Sequence, residues 1–302
     1  MAQTLELLSH RTETMRSIRG IVRTMKTMSA INARPYEEAA HGIEAFRATV
    51  LEGFHAFVHR NGPLPAQADA GAVPVIIAFG SDHGLCGNYN EMLAARVAQD
   101  LADRPGTRLI CIGAQMEDAL AGLDLAPEAA LLPPATAEGL GRLAGHLITR
   151  LDAIQQASPQ GAISVALVFM QRSGHGEQAP VAQPLLPLDP ALTGTFARRP
   201  WASRSLPQFT MPADRLLAAL IRNYLFAELF RAAAEALVTE NAARLARMQQ
   251  AEQSVDEQLE ALTAESRAVR QNEITTELLD VIIGFEALKA REKRKDRDPL
   301  PR

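Results

Sequence analysis

Two places in the chain hold residue types that could do chemistry together. The first is Gly80-Ser-Asp-His-Gly-Leu-Cys-Gly-Asn-Tyr-Asn90, where the thiol of Cys86 stands close to His83. A thiol beside an imidazole is the pairing of a nucleophile with its base. However, glycines at 80, 84 and 87 fit neither the dinucleotide fingerprint nor a P-loop, and no Lys-Ser/Thr pair accompanies them. No third group to orient the imidazole and no oxyanion donor can be named. The same residues read more simply as a tight strand-to-helix turn that needs small side chains. The second place is His55 with His59, an i, i+4 pair with the spacing of some helical metal sites. No acidic third ligand follows nearby, so the pair reads as two ordinary surface histidines. Cys86 and Cys111 form neither a metal nor a disulfide framework, which fits a reducing compartment.

The elements around the glycine-rich turn alternate. Val73-Pro-Val-Ile-Ile-Ala-Phe79 is a short apolar run of the kind a buried parallel strand shows. A helix at about Tyr89 to Ala102 follows the turn. Then come a strand at Arg108 to Ile112, a helix near Ala114 to Ala121 and a weak strand around Ala129 to Leu132. A helix at Thr136 to Gln156 leads into a strong strand, Ile163 to Met170, and Pro180 to Leu188 is a last extended piece. This order predicts a small open, mainly parallel α/β sheet of Rossmann-like type. Residues 189–212 contain four prolines and the only tryptophan, Trp201, and read as a connecting loop.

On either side lie much longer helical patterns. Ala213 to Ile283 is a run of 71 residues without proline or glycine, rich in Ala, Leu, Glu, Arg and Gln. At ~1.5 Å per residue it would extend roughly 105 Å, against a radius of gyration of about 19 Å for a compact globule of this length. Such a helix must protrude, and something must cover its apolar stripe. Met248, Val255, Leu262, Val269, Thr276 and Ile283 recur every seven residues, while the companions Leu245, Glu252, Leu259, Ser266, Glu273 and Asp280 are half polar, as in a coiled coil that weakens towards its C-terminal end. Leu5 to about Arg60 forms the other long helix, with a seam at Met15, Ile18, Val22 and Met25 from which Met28 and Ile31 drift off. Pro35 predicts a kink or short break. Ile43, Phe46, Val50, Phe54 and Phe57 carry the face on to the terminator Asn61-Gly62-Pro63-Leu64-Pro65. Periodicity alone is equally what a generic coiled-coil adaptor would show.

Charge supports pairing of the two helices. From His10 to Arg34 six Lys/Arg face one acid, and from Glu235 to Glu286 eleven acids face four arginines. A basic and an acidic helix attract when laid side by side. A basic patch for nucleic acid or membrane would carry interleaved aromatics or a broad apolar face, and both are missing. The net charge of −4 suggests no nucleic-acid partner either. The N-terminus has no long apolar run, and no segment has ~20 uninterrupted apolar residues. The expectation is a soluble, cytoplasmic protein.

With these pieces in place, the chain resembles the gamma subunit of F-type ATP synthases. The match is carried by Gly20-Ile-Val-Arg-Thr-Met-Lys-Thr-Met-Ser-Ala30, Ser81-Asp-His-Gly-Leu-Cys-Gly-Asn-Tyr-Asn90, Pro180-Val-Ala-Gln-Pro-Leu-Leu-Pro-Leu188, and Thr239-Glu-Asn-Ala-Ala-Arg244 together with Ile274-Thr-Thr-Glu277, Asp280 and Gly284. The resemblance implies an α/β fold class in which the terminal helices form an antiparallel coiled coil with a central open α/β domain at its foot. The expected divisions are 1–62 and 213–288 for the two helices, 66–190 for the α/β domain, 191–212 for the connecting loop and 289–302 for a charged tail. It implies a rotor shaft without catalysis, cofactor or metal of its own, turning inside alpha and beta subunits, with epsilon and the membrane c ring at the foot. The membrane is then reached only through the complex, at the cytoplasmic face of the bacterial inner membrane. By matching position, Met25, Lys26, Arg244, Gln271, Thr275 and Glu277 would contact beta subunits, and Phe209 and Thr210 the epsilon subunit and c ring. The polar seam residues Ser266, Glu273 and Asp280 would mark a tip where one helix outruns the other.

The sequence departs from the family pattern at His83, where arginine is usual, at Pro35, at Phe285, at Gln249 to Ser254, and in the tail Lys289 to Arg302 with seven basic and three acidic residues. These departures look more like the alternate, sometimes sodium-pumping, branch of the family than its housekeeping one.

Overall fold

The computed structural model describes residues 2–64, 71–172, 177–205 and 207–295. Pro65 of the expected terminator and residues 296–302 of the expected tail lie outside the described residues. The elements run α1 (Ala2–Asn61), β1 (Val73–Phe79), α2 (Tyr89–Asp103), β2 (Arg108–Ile112), α3 (Ala114–Ala121), β3 (Ala129–Leu131), a 3-10 turn (Ala137–Gly139), α4 (Leu140–Ala157), β4 (Ile163–Arg172), β5 (Gln178–Leu186), α5 (Pro190–Arg198) and α6 (Ala213–Lys295). None of the described helices is long and apolar enough to cross a membrane. The chain divides into two compact units. One holds residues 1–26 and 248–302, the other residues 27–247.

The larger unit is built on one sheet in the order β3-β2-β1-β4-β5. β1 pairs in parallel with β2 and with β4, β2 in parallel with β3, and β5 runs antiparallel along β4. Successive side chains on a strand point to opposite faces, so each central strand feeds two cores. Val75, Ile77 and Phe79 with Ile110, Ile112, Val165, Leu167 and Phe169 face a large cluster that includes Leu147 and Leu151 of α4, Phe54 of α1 and Leu229 of α6. Ile76 and Ala78 with Leu109, Cys111, Val168 and Met170 face Leu93 and Val97 of α2 and Met116 and Leu120 of α3. Covering both faces is why these strands read as unbroken apolar runs rather than as alternation.

The long helices enter this unit as an antiparallel pair. Phe54 stacks on Phe196 and meets Tyr224 edge-on. A Cβ added at Gly53 would lie 2.8 Å from Leu220, so glycine permits the close approach of α1 to α6 there. Glu228 of α6 is 0% exposed and accepts from Arg47 Nε at 2.5 Å, Arg231 Nη2 at 3.0 Å and Gln183 Nε2 at 3.0 Å, tying α1, α6 and β5 at one point. Burial pushes its carboxyl pKa up, but the bonds and charges of the two arginines outweigh this and leave it below the ordinary value.

In the smaller unit the same helices pair more thinly. Among its described residues Leu8, Val22, Met248 and Val255 are the buried apolar ones. Arg19 meets Asp256 at 2.7 Å, Arg23 meets Glu252 at 2.7 Å, and Lys26 reaches the other oxygen of Glu252. A step forward on α1 is matched by a step back on α6, so the attraction read from the charge pattern operates in antiparallel register. The two hydrogen bonds hold the Glu252 pKa below its ordinary value.

Several expectations change here. The seam does not use Ile18, which is exposed, but passes from Met15 through Arg19 to Val22, because an arginine with an acidic partner can occupy a seam position. No break occurs at Pro35, and α1 runs as one helix through it. The stretch 191–212 is not all loop. Asp189 accepts from Ala191 N at 2.8 Å and Pro190 takes the first helical position, which starts α5. Finally, α6 does not end at 288. It continues through Gly284 to Lys295, since one glycine costs only about 1 kcal/mol in a helix otherwise made of strong helix formers.

Candidate functional site

In open α/β sheets, ligands bind beyond the carboxyl ends of the strands where strand order reverses. Here that point lies between β1 and β4, and the glycine-rich turn Gly80–Asn88 sits on it. Asn90, in the first turn of α2, organises the turn: its Oδ1 accepts from Ser81 N at 2.9 Å and its Nδ2 donates to Ser81 Oγ at 2.8 Å. Ser81 Oγ then donates to the carbonyl of His83 at 3.0 Å. The backbone turns left-handed at Leu85 (φ 67°) and Gly87 (φ 72°). Asp82 Oδ1 accepts from Ala114 N at the start of α3.

The crevice itself is filled by α6. Thr239 Oγ1 donates to Met170 O at the end of β4, and Tyr89 Oη reaches Ala236 O at 2.9 Å and Thr239 Oγ1 at 3.0 Å. Arg244 donates through Nη2 to His83 O at 3.0 Å and through Nε to Gly84 O at 3.2 Å, and binds Glu240 Oε1 at 2.6 Å. Burial pushes the Tyr89 phenol and the Glu240 carboxyl up, and the Arg244 charge only partly offsets it at Glu240. The place where a relative of this architecture would hold a small molecule is therefore occupied by the chain's own helix.

This arrangement does not assemble the nucleophile and base. Cys86 is 4% exposed, and burial pushes its pKa up against the smaller effects of the Ser81 hydrogen bond and Arg244. The His83 side chain is 81% exposed, and it is the His83 carbonyl, not the ring, that faces the thiol. Cys111 is fully buried with its pKa pushed up to about 12. The histidine pair also needs correction. His55 is not on the surface but buried against Phe196 and Trp201, with Nε2 at 2.9 Å from Arg199 O. A carbonyl only accepts, so that nitrogen carries the proton. Trp201 also stacks on His59. Among the described residues no group of three His, Cys, Asp or Glu could hold a metal ion.

The residues picked out by resemblance fall into four situations. Met25 and Lys26 are half-buried in the smaller unit, Lys26 against Glu252. Gln271, Thr275 and Glu277 are exposed on α6, and Thr275 Oγ1 donates to Gln271 O at 2.9 Å. Arg244 is buried in the larger unit, its guanidinium taken up within the chain. Phe209 stacks on Phe57 under the Arg60 guanidinium, 5.3 Å from the ring centroid, and Thr210 is exposed. Beyond Arg270 the last turns of α6 expose Ile274, Leu278, Leu279, Val281, Ile282, Ile283, Phe285 and Leu288. The Glu228 cluster was not anticipated. The only hint in the sequence is a glutamate and an arginine three residues apart inside a run of alanine and leucine.

The sequence model of a family described as "ATP synthase" matches residues 4–288. The "ATP synthase gamma chain" of Nitratidesulfovibrio vulgaris (strain Miyazaki F) is 28% identical over 281 residues, covering 87% of this chain and 92% of that one. The protein of the same name from Heliobacterium modesticaldum is 26% identical over 297 residues, covering 93% and 98%. A chain in the Euglena gracilis mitochondrial ATP synthase structure described as "OSCP/F1/c-ring, rotational state 3" has the same fold, with a TM-score of 0.63 at 16% identity and 97% coverage of both chains. A chain of the Tetrahymena thermophila "central stalk/cring" structure matches with a TM-score of 0.53 at 17% identity, covering 76% of this chain and 99% of that one.

Proposed function

The chain belongs to the ATP synthase family, and from that membership we propose that it is the gamma subunit, the central rotor shaft that couples ion flow through a c ring to ATP synthesis or hydrolysis at beta subunits. Its partners are the alpha and beta subunits, epsilon and the c ring. It does no chemistry itself. It acts by presenting different surfaces to the beta subunits in turn, which shifts their conformational populations through contact. The complex works at the cytoplasmic face of a bacterial inner membrane, where this chain is peripheral.

The observation that carries the reading is the end of α6. A helix that stays helical while exposing eight large apolar side chains between Ile274 and Leu288 is built to be covered by other chains. An adaptor could share the helix pair, but it has no need of a signature at that end. We assign Met25, Lys26, Gln271, Thr275 and Glu277 to beta contacts, and Phe209 with Thr210 to epsilon and the c ring.

Coexpression with the alpha and beta chains tests the reading through ATP hydrolysis by the purified complex. Assembly and hydrolysis should require this chain. Identical activity in its absence would overturn the assignment.

A further inference from the structure

The turn Ser81–Asn90 is held in a shape that its backbone disfavours. Leu85 has φ 67°, a left-handed conformation that costs a non-glycine residue roughly 1–2 kcal/mol. Such strain persists only where the surroundings over-determine the geometry. Part of the determination is local, through Ser81 and Asn90. The rest comes from α6, as the two donations of Arg244 to His83 O and Gly84 O. Glu240, one helical turn earlier, aims the guanidinium. It is 5% exposed, and its Oε2 has no hydrogen-bond partner. A carboxylate so placed is tolerated in charged form only with a cation beside it. At the next turn of α6, a Cβ on Gly87 would run into the Arg247 side chain, so the far end of the turn also lies against the helix.

We propose that Arg244 is a positioning residue for the rotor: aimed by Glu240, it latches the Ser81–Asn90 turn to α6 and holds Leu85, 56% exposed, outward at the turn's apex. The proposal rests on the shaft reading for its purpose and on the hydrogen bonds for its geometry. A load on the apex passes to α6 through charge-assisted bonds to two backbone carbonyls, a connection that a planar guanidinium fork makes and a single ammonium does not. With only 9% of its surface exposed, Arg244 could meet a beta subunit only by releasing the turn.

The two cysteines supply the test. Cys86 lies within the turn, while Cys111 is buried in the same core on β2 and reports general loosening. The full chain is treated with N-ethylmaleimide under native conditions, and alkylation is followed at each cysteine by mass spectrometry. Losing bonds to a charged group costs about 1.5–3 kcal/mol, so Arg244→Lys and Arg244→Gln should both raise the Cys86 rate at least about tenfold while Cys111 stays at its wild-type rate. Full rescue by lysine, an unchanged Cys86 rate, or a rise shared equally by Cys111 overturns the latch. The same variants in the complete complex should pump fewer ions per ATP hydrolysed than wild type. An unchanged ratio overturns the positioning role. If instead ATP hydrolysis is indifferent to removing the whole chain, the shaft reading itself fails, and the alkylation result still stands.

Discussion

The two ends of α6 behave as different materials although both are helical. Between Tyr224 and Arg244 nearly every inward position is buried, and the polar ones among them, Glu228, Thr239, Glu240, Asn241 and Arg244, have partners within the chain. Beyond Arg270 the same helix type leaves Ile283 62% and Phe285 66% exposed. Both stretches are helical, although the second carries Ile, Thr and Gly284 where the first is rich in alanine. What differs is what covers them, since among the described residues the large apolar side chains of the last turns stay exposed. Helix formation and helix burial are thus separate facts about this chain. The first comes from local composition, and the second from what packs against the helix.

The sharpest way to break the comparison is to remove a buried anchor. Glu228→Ala removes the buried carboxylate that Arg47 and Arg231 share at the junction of α1, α6 and β5, and should destabilise the full chain by about 3–5 kcal/mol in urea unfolding followed by circular dichroism. Phe54→Ala removes the ring between Phe196 and Tyr224 and should cost a similar ~3–5 kcal/mol. Val255→Ala deletes a buried residue from the thinner pairing of the smaller unit, which can close over the gap, so about 1 kcal/mol is expected. A Val255→Ala effect equal to that of Phe54→Ala would abolish the distinction.

Acid resolves the buried carboxylates more finely. Glu228 has a folded pKa below its ordinary value, so its stabilising ionisation is complete above about 4.5 and is lost as the pH falls through the lower folded value. The advantage of wild type over Glu228→Gln should therefore shrink only below about pH 4.5. Glu240 is shifted the other way, mainly by burial, so its ionisation works against folding as the pH rises through the raised value. Glu240→Gln should relieve that cost at higher pH. Parallel pH profiles for the two variants would show that their environments do not differ as described.

The sequence made the elements legible where a single period dominates. The apolar runs of β1 and β4, the two long helices and their opposite charge all follow from patterns that no tertiary contact overrides. The failures are equally physical. Asp189-Pro190 is a cap followed by a proline suited to the first helical turn, but the surrounding prolines hid the short helix α5. His55 was misplaced because a ring buried by Phe196 and Trp201 depends on residues about 140 positions away, which periodicity cannot see. Arg244 was legible as part of a signature but not as a donor to His83 and Gly84, because that bond joins distant parts of the chain.

The smallest effect on stability should come from the exposed end, and there it is diagnostic. Ile282→Gln combined with Phe285→Gln changes two side chains that touch little within the chain, so unfolding should shift by no more than about 0.5 kcal/mol. Glutamine is also a good helix former, so the helix itself should be retained. The isolated chain should become less prone to association, because a contiguous apolar patch has been interrupted. Assembly with the alpha and beta chains should weaken at the same time, read as the yield of purified complex. A loss of several kcal/mol in the chain alone would mean that this end is already packed. An unaltered yield of complex would mean that its apolar face is not what the partners cover.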